Sequence, residues 1–111
     1  LETGAPLTGL GTQSHLDLDF TRPGMCRAAM RDLASFGLPI HLSELDISLG
    51  DRFVPALPGD RVKRQIAKYA EVAEAFMALP ERQRFAFTIW GARDSDSWRR
   101  KEAADDTPLL S

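Results

Sequence analysis

Two amphipathic stretches, residues 22–36 and 60–79, each lie between short apolar runs, and this alternation constrains the fold more than any other feature of the chain. The runs are Leu7 to His15, Ile40 to Ile47 and Phe85 to Trp90. Strands joined by a connection of helix length pair in parallel, so the pattern predicts β-α-β-α-β units around a parallel sheet. The first helix is expected from Arg22 to Phe36, with Thr21 as N-cap, Pro23 in the first turn and Gly37 just past the end. Its apolar positions Cys26, Ala29, Met30, Leu33 and Phe36 recur at helical spacing and should face the sheet. Asp60 is expected to cap the second helix, which runs to about Leu79 before Pro80 stops it. Its predicted core stripe is Val62, Ile66, Tyr69, Ala70, Ala73, Phe76 and Met77.

The two-residue period of a strand assigns faces. In the first strand Gly9, Gly11, Gln13 and His15 share one face. In the second, Ile40, Leu42, Glu44 and Asp46 are expected to point inward together, leaving His41, Ser43, Leu45 and Ile47 on the other side. The third should send Phe85, Phe87 and Ile89 to the helix layer and Ala86, Thr88 and Trp90 inward. Loops 48–59 and 91–107 then leave the same rim, where loops carried by such a scaffold collect functional residues.

One carboxylate stands out. Glu44 lies among Leu42, Leu45 and Ile47, and a buried carboxylate without partners is costly, so it belongs where its charge is used. Trp90 and Trp98 follow at and beyond the end of the next strand. An indole face can cover the C–H face of a pyranose while its N–H donates a hydrogen bond. Carboxylate and indoles together point to a glycan.

The chain's 111 residues, with 14 basic and 16 acidic side chains and a net charge of −2, provide no field suited to nucleic acid or an anionic membrane. No apolar run approaches the roughly 20 residues of a membrane span, and the start lacks the pattern of a signal peptide. The single Cys26 cannot form an intrachain disulfide and reads as a buried thiol without a redox role. No His, Cys and Asp cluster has metal-ligand spacing, and no cofactor is expected. The Arg99-Arg100-Lys101 run is too short to indicate nucleic acid.

Four blocks carry a family resemblance. Gly9-Leu10-Gly11-Thr12-Gln13-Ser14-His15-Leu16, Leu42-Ser43-Glu44-Leu45-Asp46-Ile47, Thr88-Ile89-Trp90-Gly91 with Asp94 and Ser97-Trp98, and Thr107-Pro108-Leu109-Leu110 resemble, in order and spacing, the C-terminal portion of glycoside hydrolase family 10. That family consists mostly of endo-1,4-β-xylanases on a (β/α)8 TIM barrel. Three departures stand in the blocks: Thr12 where an aromatic is common, Ser43 where Thr is usual, and Ser111 where an aromatic normally follows.

The resemblance implies an α/β fold that is part of a (β/α)8 barrel, strands six to eight with their helices, and makes residues 1–111 the C-terminal part of a catalytic domain truncated at both ends. A complete barrel of this kind needs roughly 250 residues. Glu44 then matches the nucleophile of a retaining glycosidase, whose partner carboxylate, about 5 to 5.5 Å away, protonates the leaving oxygen. The family carries that acid/base on an earlier strand in an Asn-Glu pair, and this chain contains no Asn. Among the other matching residues, His15 would tune the charge of the nucleophile, with Asp46 orienting it. Trp90 and Trp98 resemble indoles that wall the sugar site; beside the resemblance, Gln13 is read as a donor to nucleophile or substrate, Arg99, directly after Trp98, as a contact to substrate hydroxyls, and His41, facing the opposite way, as structural. The expected ligand is xylan or a xylooligosaccharide, with the N-terminal half of the barrel needed to complete the site. The early sugar-binding strands and the closing eighth helix after Leu110 are expected to be missing, leaving the fragment inactive on xylan. Secretion or a periplasmic location follows from the family alone. Two rivals differ in kind: a glycan-binding remnant without turnover, and a purely structural α/β fragment whose open sheet edges invite self-association.

Overall fold

Three parallel strands, β1 (Leu10–Asp17), β2 (Ile40–Ser48) and β3 (Arg84–Ile89), form one sheet in the order β1-β2-β3. The computed structural model describes residues 4–18, 21–49, 58–99 and 108–109, so most of the expected loop 48–59 and the segment 101–107 lie outside the described residues. Helices α1 (Met25–Ala34) and α2 (Pro58–Met77) connect the strands. Both pack on one face of the sheet, where Met30 of α1 and Val72, Ala75 and Phe76 of α2 meet Ile40, Leu42, Leu45 and Ile47 of β2. Each of these fully buried aliphatic side chains on the central strand contributes about 1.5–3 kcal/mol. The Phe76 and Phe87 rings add an edge-to-face contact at 5.5 Å.

The alternation is as expected, but several details differ. Helix α1 is shorter than residues 22–36, and Thr21 is not its cap: the Thr21 hydroxyl accepts the Asp17 N–H at 3.3 Å. Gly24 occupies the cap at φ 83, where a side chain would be strained, and its N–H donates to Glu71 Oε1 at 2.9 Å. Gly37 does take the left-handed conformation past the helix end, φ 73, with its N–H on the Ala34 carbonyl. Cys26, Met30 and Leu33 face the sheet, whereas Ala29 and Phe36 are exposed, the latter because it lies beyond the last helical turn. Burial, and then the Glu71 charge, push the Cys26 thiol above its ordinary range.

The core stripe of α2 is rotated from the expected one. Val62, Ile66 and Met77 are exposed and Arg61, Gln65, Lys68, Val72 and Ala75 are buried, while the expected Phe76 is buried, the expected Tyr69 packs partly buried against the core, and Leu79 is buried just past the helix end. The reason is the row of carbonyls at and just beyond the ends of β1 and β2. Gln65 Nε2 donates to the Ile47 carbonyl at 2.8 Å, Arg61 Nη1 to Leu49 at 2.5 Å and Arg64 Nη2 to Leu18 at 3.1 Å. Long polar side chains of the first half of α2, Arg61 and Gln65 buried and Arg64 from the exposed side, thus satisfy backbone groups that hydrophobic periodicity cannot anticipate.

Glu71 links the two helices. Burial pushes its carboxyl up, but the Lys68 ammonium at 2.9 Å, the Gly24 N–H and the Arg27 charge outweigh this and hold it below the usual glutamate value. A lowered folded-state value means stability that is present above the unfolded value and lost as pH falls through the folded one. Glu71→Gln is therefore expected to cost about 0.5–1 kcal/mol at neutral pH, the difference from the parent vanishing toward acid pH in paired urea titrations. A pH-independent difference would contradict the assignment.

Candidate active site

The central strand does not keep its two-residue period, and the site depends on that. Ile40 and Leu42 face the helices, yet so do Leu45 and Ile47, which have the opposite parity. One extra residue accounts for the change. Across β1, Gln13 pairs with Ser43 but His15 with Asp46, and across β3, Leu42 pairs with Phe87 but Leu45 with Ile89. Both neighbouring ladders slip at the same place, which is a β-bulge. Its extra residue is Glu44, the one non-glycine among the described residues with positive φ, at 55°. The expected face with Ile40 and Leu42 beneath Glu44 is therefore incorrect. Glu44 and Asp46 lie opposite the apolar core, on the side of His41 and Ser43, and His41 does not point away from them. The ladder holds to the bulge from both sides, with Ser43 Oγ on the Thr12 carbonyl at 3.1 Å and the Trp90 N–H on the Leu45 carbonyl at 2.9 Å.

On that side the strand ends and the loop after β3 bring five predicted residues together: His15, Glu44, Asp46, Trp98 and Arg99. His15 Nε2 is 2.8 Å from Glu44 Oε2, and His15 Nδ1 is 3.0 Å from Asp46 Oδ1. A neutral imidazole donates to one of these carboxylates and a protonated one to both. Asp46 is wholly buried and accepts two further bonds: Trp98 Nε1 donates to Oδ2 at 2.7 Å and Arg99 Nε to Oδ1 at 2.8 Å. The Trp98 indole meets the His15 ring edge-on at 5.2 Å, and the Arg99 guanidinium lies 5.1 Å over the indole. Asp46 is a shared acceptor closed to solvent. Glu44 keeps 22% of its side chain exposed, enough to meet a ligand.

Other expected members are not drawn in. Gln13 is exposed on the His15 side of β1, and its side chain makes no hydrogen bond among the described residues. Trp90, just beyond β3, is 45% exposed, and its indole makes no hydrogen bond or ring contact with the cluster among the described residues. His41 Nε2 bonds Thr88 Oγ1 at 2.8 Å, and Phe85, expected among the helices, is exposed against the His41 ring at 6.0 Å. Phe85 is the residue skipped where Ile40 pairs with Arg84 but His41 with Ala86.

Sequence reasoning missed the anchor of the loop that carries Trp98. Buried Asp94 accepts the Leu109 N–H at 2.6 Å, the Pro108 carbonyl accepts the Ile47 N–H at 3.1 Å, and the Tyr69 hydroxyl also donates to Pro108. Burial, followed by the Asp46 charge, pushes the Tyr69 phenol far above its ordinary range and keeps it a donor. The Thr107-Pro108-Leu109-Leu110 block was the available signal. Gly91, at φ 130, leaves room for this strap, since a Cβ there would lie 2.9 Å from Leu109 Cδ1. Gly91→Ala is expected to lower stability by about 1–3 kcal/mol, read from the urea midpoint. An unchanged midpoint would mean the strap does not hold the loop.

A parallel sheet with a carboxylate, imidazole and indole cluster at the carboxyl ends of its strands defines a protein of the α/β class with its site at the strand rim. The family model for glycosyl hydrolase family 10 matches residues 1–111, and the chain belongs to that family. It is 31% identical over 121 residues to the endo-1,4-beta-xylanase A of Caldicellulosiruptor saccharolyticus, covering 99% of this chain and 34% of that protein. It is 29% identical over 126 residues to the endo-1,4-beta-xylanase A of Cellvibrio japonicus, covering 99% of this chain and 21% of the relative. Among solved structures, a thermostable mutant of a Cellvibrio japonicus xylanase superposes with a TM-score of 0.83 at 28% identity, over 98% of this chain and 36% of that one. A xylanase A mutant of P. fluorescens subsp. cellulosa, in complex with xylopentaose, gives 0.82 at 27% identity, over 98% of this chain and 36% of that one. The chain thus spans about a third or less of the length of these proteins. Among the described residues no helix is long and apolar enough to cross a membrane, and no group of three His, Cys, Asp or Glu could hold a metal.

Proposed function

We propose that this chain is strands six to eight of the (β/α)8 barrel of a retaining endo-1,4-β-xylanase, with Glu44 as the nucleophile. The observation that carries this reading is the Glu44 carboxylate, set on a left-handed bulge at the strand rim, partly open, and hydrogen-bonded to His15 Nε2 at 2.8 Å. A Glu44 oxygen attacks the anomeric carbon of a xylosyl unit as the glycosidic C–O bond breaks, and water later releases the sugar from Glu44. The departing oxygen keeps the bond's electron pair and needs a proton. Asp46 and Asp94 are buried and hydrogen-bonded, so neither is placed to supply it. The acid/base belongs to the N-terminal half of the barrel, which would also complete the sugar subsites. His15 and Asp46 support the nucleophile, Trp90 and Trp98 present indole surface to the sugar, and Gln13 is free to donate to it. Xylan degradation implies a secreted or periplasmic protein.

The chain alone should not hydrolyse xylan. An aryl xylobioside with an acidic phenol needs little proton assistance and reports the nucleophile directly. We expect phenol release when the chain is assembled with the N-terminal half of a family member, and none with Glu44→Gln. An assembled mixture without turnover would sink the nucleophile assignment. Binding of xylooligosaccharide without turnover would favour a glycan-binding remnant, the reading that the exposed Trp90 and Trp98 support. A stable oligomer that binds no sugar would favour a structural fragment.

A further inference from the structure

We infer that Arg99 is a positioning residue for the catalytic cluster and not a sugar ligand. The inference deepens the glycosidase reading and rests on it. Sequence pattern places Arg99 beside Trp98 in a polar loop, where its guanidinium would be free to meet substrate hydroxyls. The structure directs it inward. Its side chain is 13% exposed, and Nε donates to Asp46 Oδ1 at 2.8 Å while the guanidinium covers the Trp98 ring. Its backbone N–H is also held, by Ser97 Oγ at 3.2 Å.

Asp46 explains why a cation is needed there. A wholly buried carboxylate requires charge compensation and hydrogen bonds to remain buried. His15 and Trp98 supply hydrogen bonds, and Arg99 supplies both a bond and a permanent positive charge. Asp46 in turn fixes the edge of His15 opposite to the one that meets Glu44. Arg99 therefore sets the nucleophile at two removes, through Asp46 and His15, and sets the Trp98 ring both through Asp46 and by covering its face. A planar guanidinium can do both, whereas a lysine ammonium can supply the charge but not the flat cover.

The test exploits the chain's two tryptophans, which give two indole N–H signals in a nitrogen–proton spectrum of the full chain. The Trp98 N–H points at a carboxylate, and that of Trp90 has no partner among the described residues. In Arg99→Met the Trp98 signal should move upfield and broaden while Trp90 stays in place, and Arg99→Lys should restore part of the shift. A Trp98 signal unmoved in both variants overturns the inference. Since Arg99→Met could disturb the fold, the Arg99→Lys spectrum and an unchanged Trp90 signal provide the control. In the assembled enzyme with an aryl xylobioside, kcat should fall about tenfold with KM within about twofold, because misplacing the nucleophile slows the step without weakening sugar contacts. A raised KM with kcat retained would make Arg99 a sugar ligand and reject the inference. Absence of turnover in the parent assembly would defeat the glycosidase reading alone, with the spectrum still deciding where Arg99 acts.

Discussion

Asp46→Asn is expected to lower the stability of the chain by about 2–3 kcal/mol, and Asp46→Ala by about 3–5 kcal/mol. The carboxylate is acceptor-only, which suits a site ringed by the His15 ring nitrogen, the Trp98 indole N–H and the Arg99 Nε–H. An asparagine has the same shape but only one acceptor oxygen. Placed toward His15 and Arg99, that oxygen keeps two partners and turns the amide N–H2 against the Trp98 N–H, donor against donor. The opposite flip keeps Trp98 and loses the other two. Either way a buried group is left unsatisfied and the Arg99 charge loses its counterion. Alanine goes further, leaving three donors without an acceptor in a space closed to water. Losses of this size are a large fraction of the total stability of a small domain. Urea unfolding followed by tryptophan fluorescence measures the effect. A loss under about 1 kcal/mol for Asp46→Ala would show that the cluster behaves like an exposed ion pair and does not organise the site.

Much of this arrangement is legible in the sequence, and the rest fails for identifiable reasons. The β-α-β-α-β order follows from apolar periodicity, and His15, Glu44, Asp46 and Trp98 do meet, as the four motif blocks imply. Periodicity fails where the chain departs from a regular element. A single extra residue at Glu44 inverts the faces of the preceding half-strand, because a strand's side-chain period is two and one inserted residue exchanges the sides. Nothing in Leu42-Ser43-Glu44-Leu45 distinguishes a bulge from a straight strand, since glutamate is not a residue that favours positive φ. On α2 the expected stripe is one position away from the buried one. Arg61 and Gln65 read as solvent residues until the strand-end carbonyls they serve are known. Arg99 is hidden for the same reason: a loop arginine is usually solvated, and only the buried Asp46, 53 residues earlier, draws it in.

The bulge makes a second large prediction, in which two variants lose function alike but differ in stability. Glu44→Gly and Glu44→Ala both remove the carboxylate and its bond to His15, so on the proposed role each should abolish turnover of an aryl xylobioside in the assembled enzyme, by at least about 10⁴-fold. They differ only in how well they tolerate φ 55, a conformation that costs a residue with a Cβ roughly 1–2 kcal/mol and glycine almost nothing. Glu44→Gly should therefore be more stable than Glu44→Ala by about 1 kcal/mol in urea unfolding, although glycine pays more chain entropy on folding everywhere else. Azide supplies the complementary readout. It is small enough to enter the space left by the side chain and to attack the anomeric carbon from the side Glu44 occupied, expelling the phenolate. The expected product is an α-glycosyl azide from a β-linked substrate, formed by both variants and not by the parent. If alanine proves as stable as glycine, the left-handed backbone is not a source of strain. If azide restores nothing in a folded, assembled variant, Glu44 is not the group that attacks. Loss of turnover in both variants, a glycine more stable than alanine, and the azide adduct would together mean that the strand carries its strained residue because the chemistry requires a carboxylate at that point of the rim.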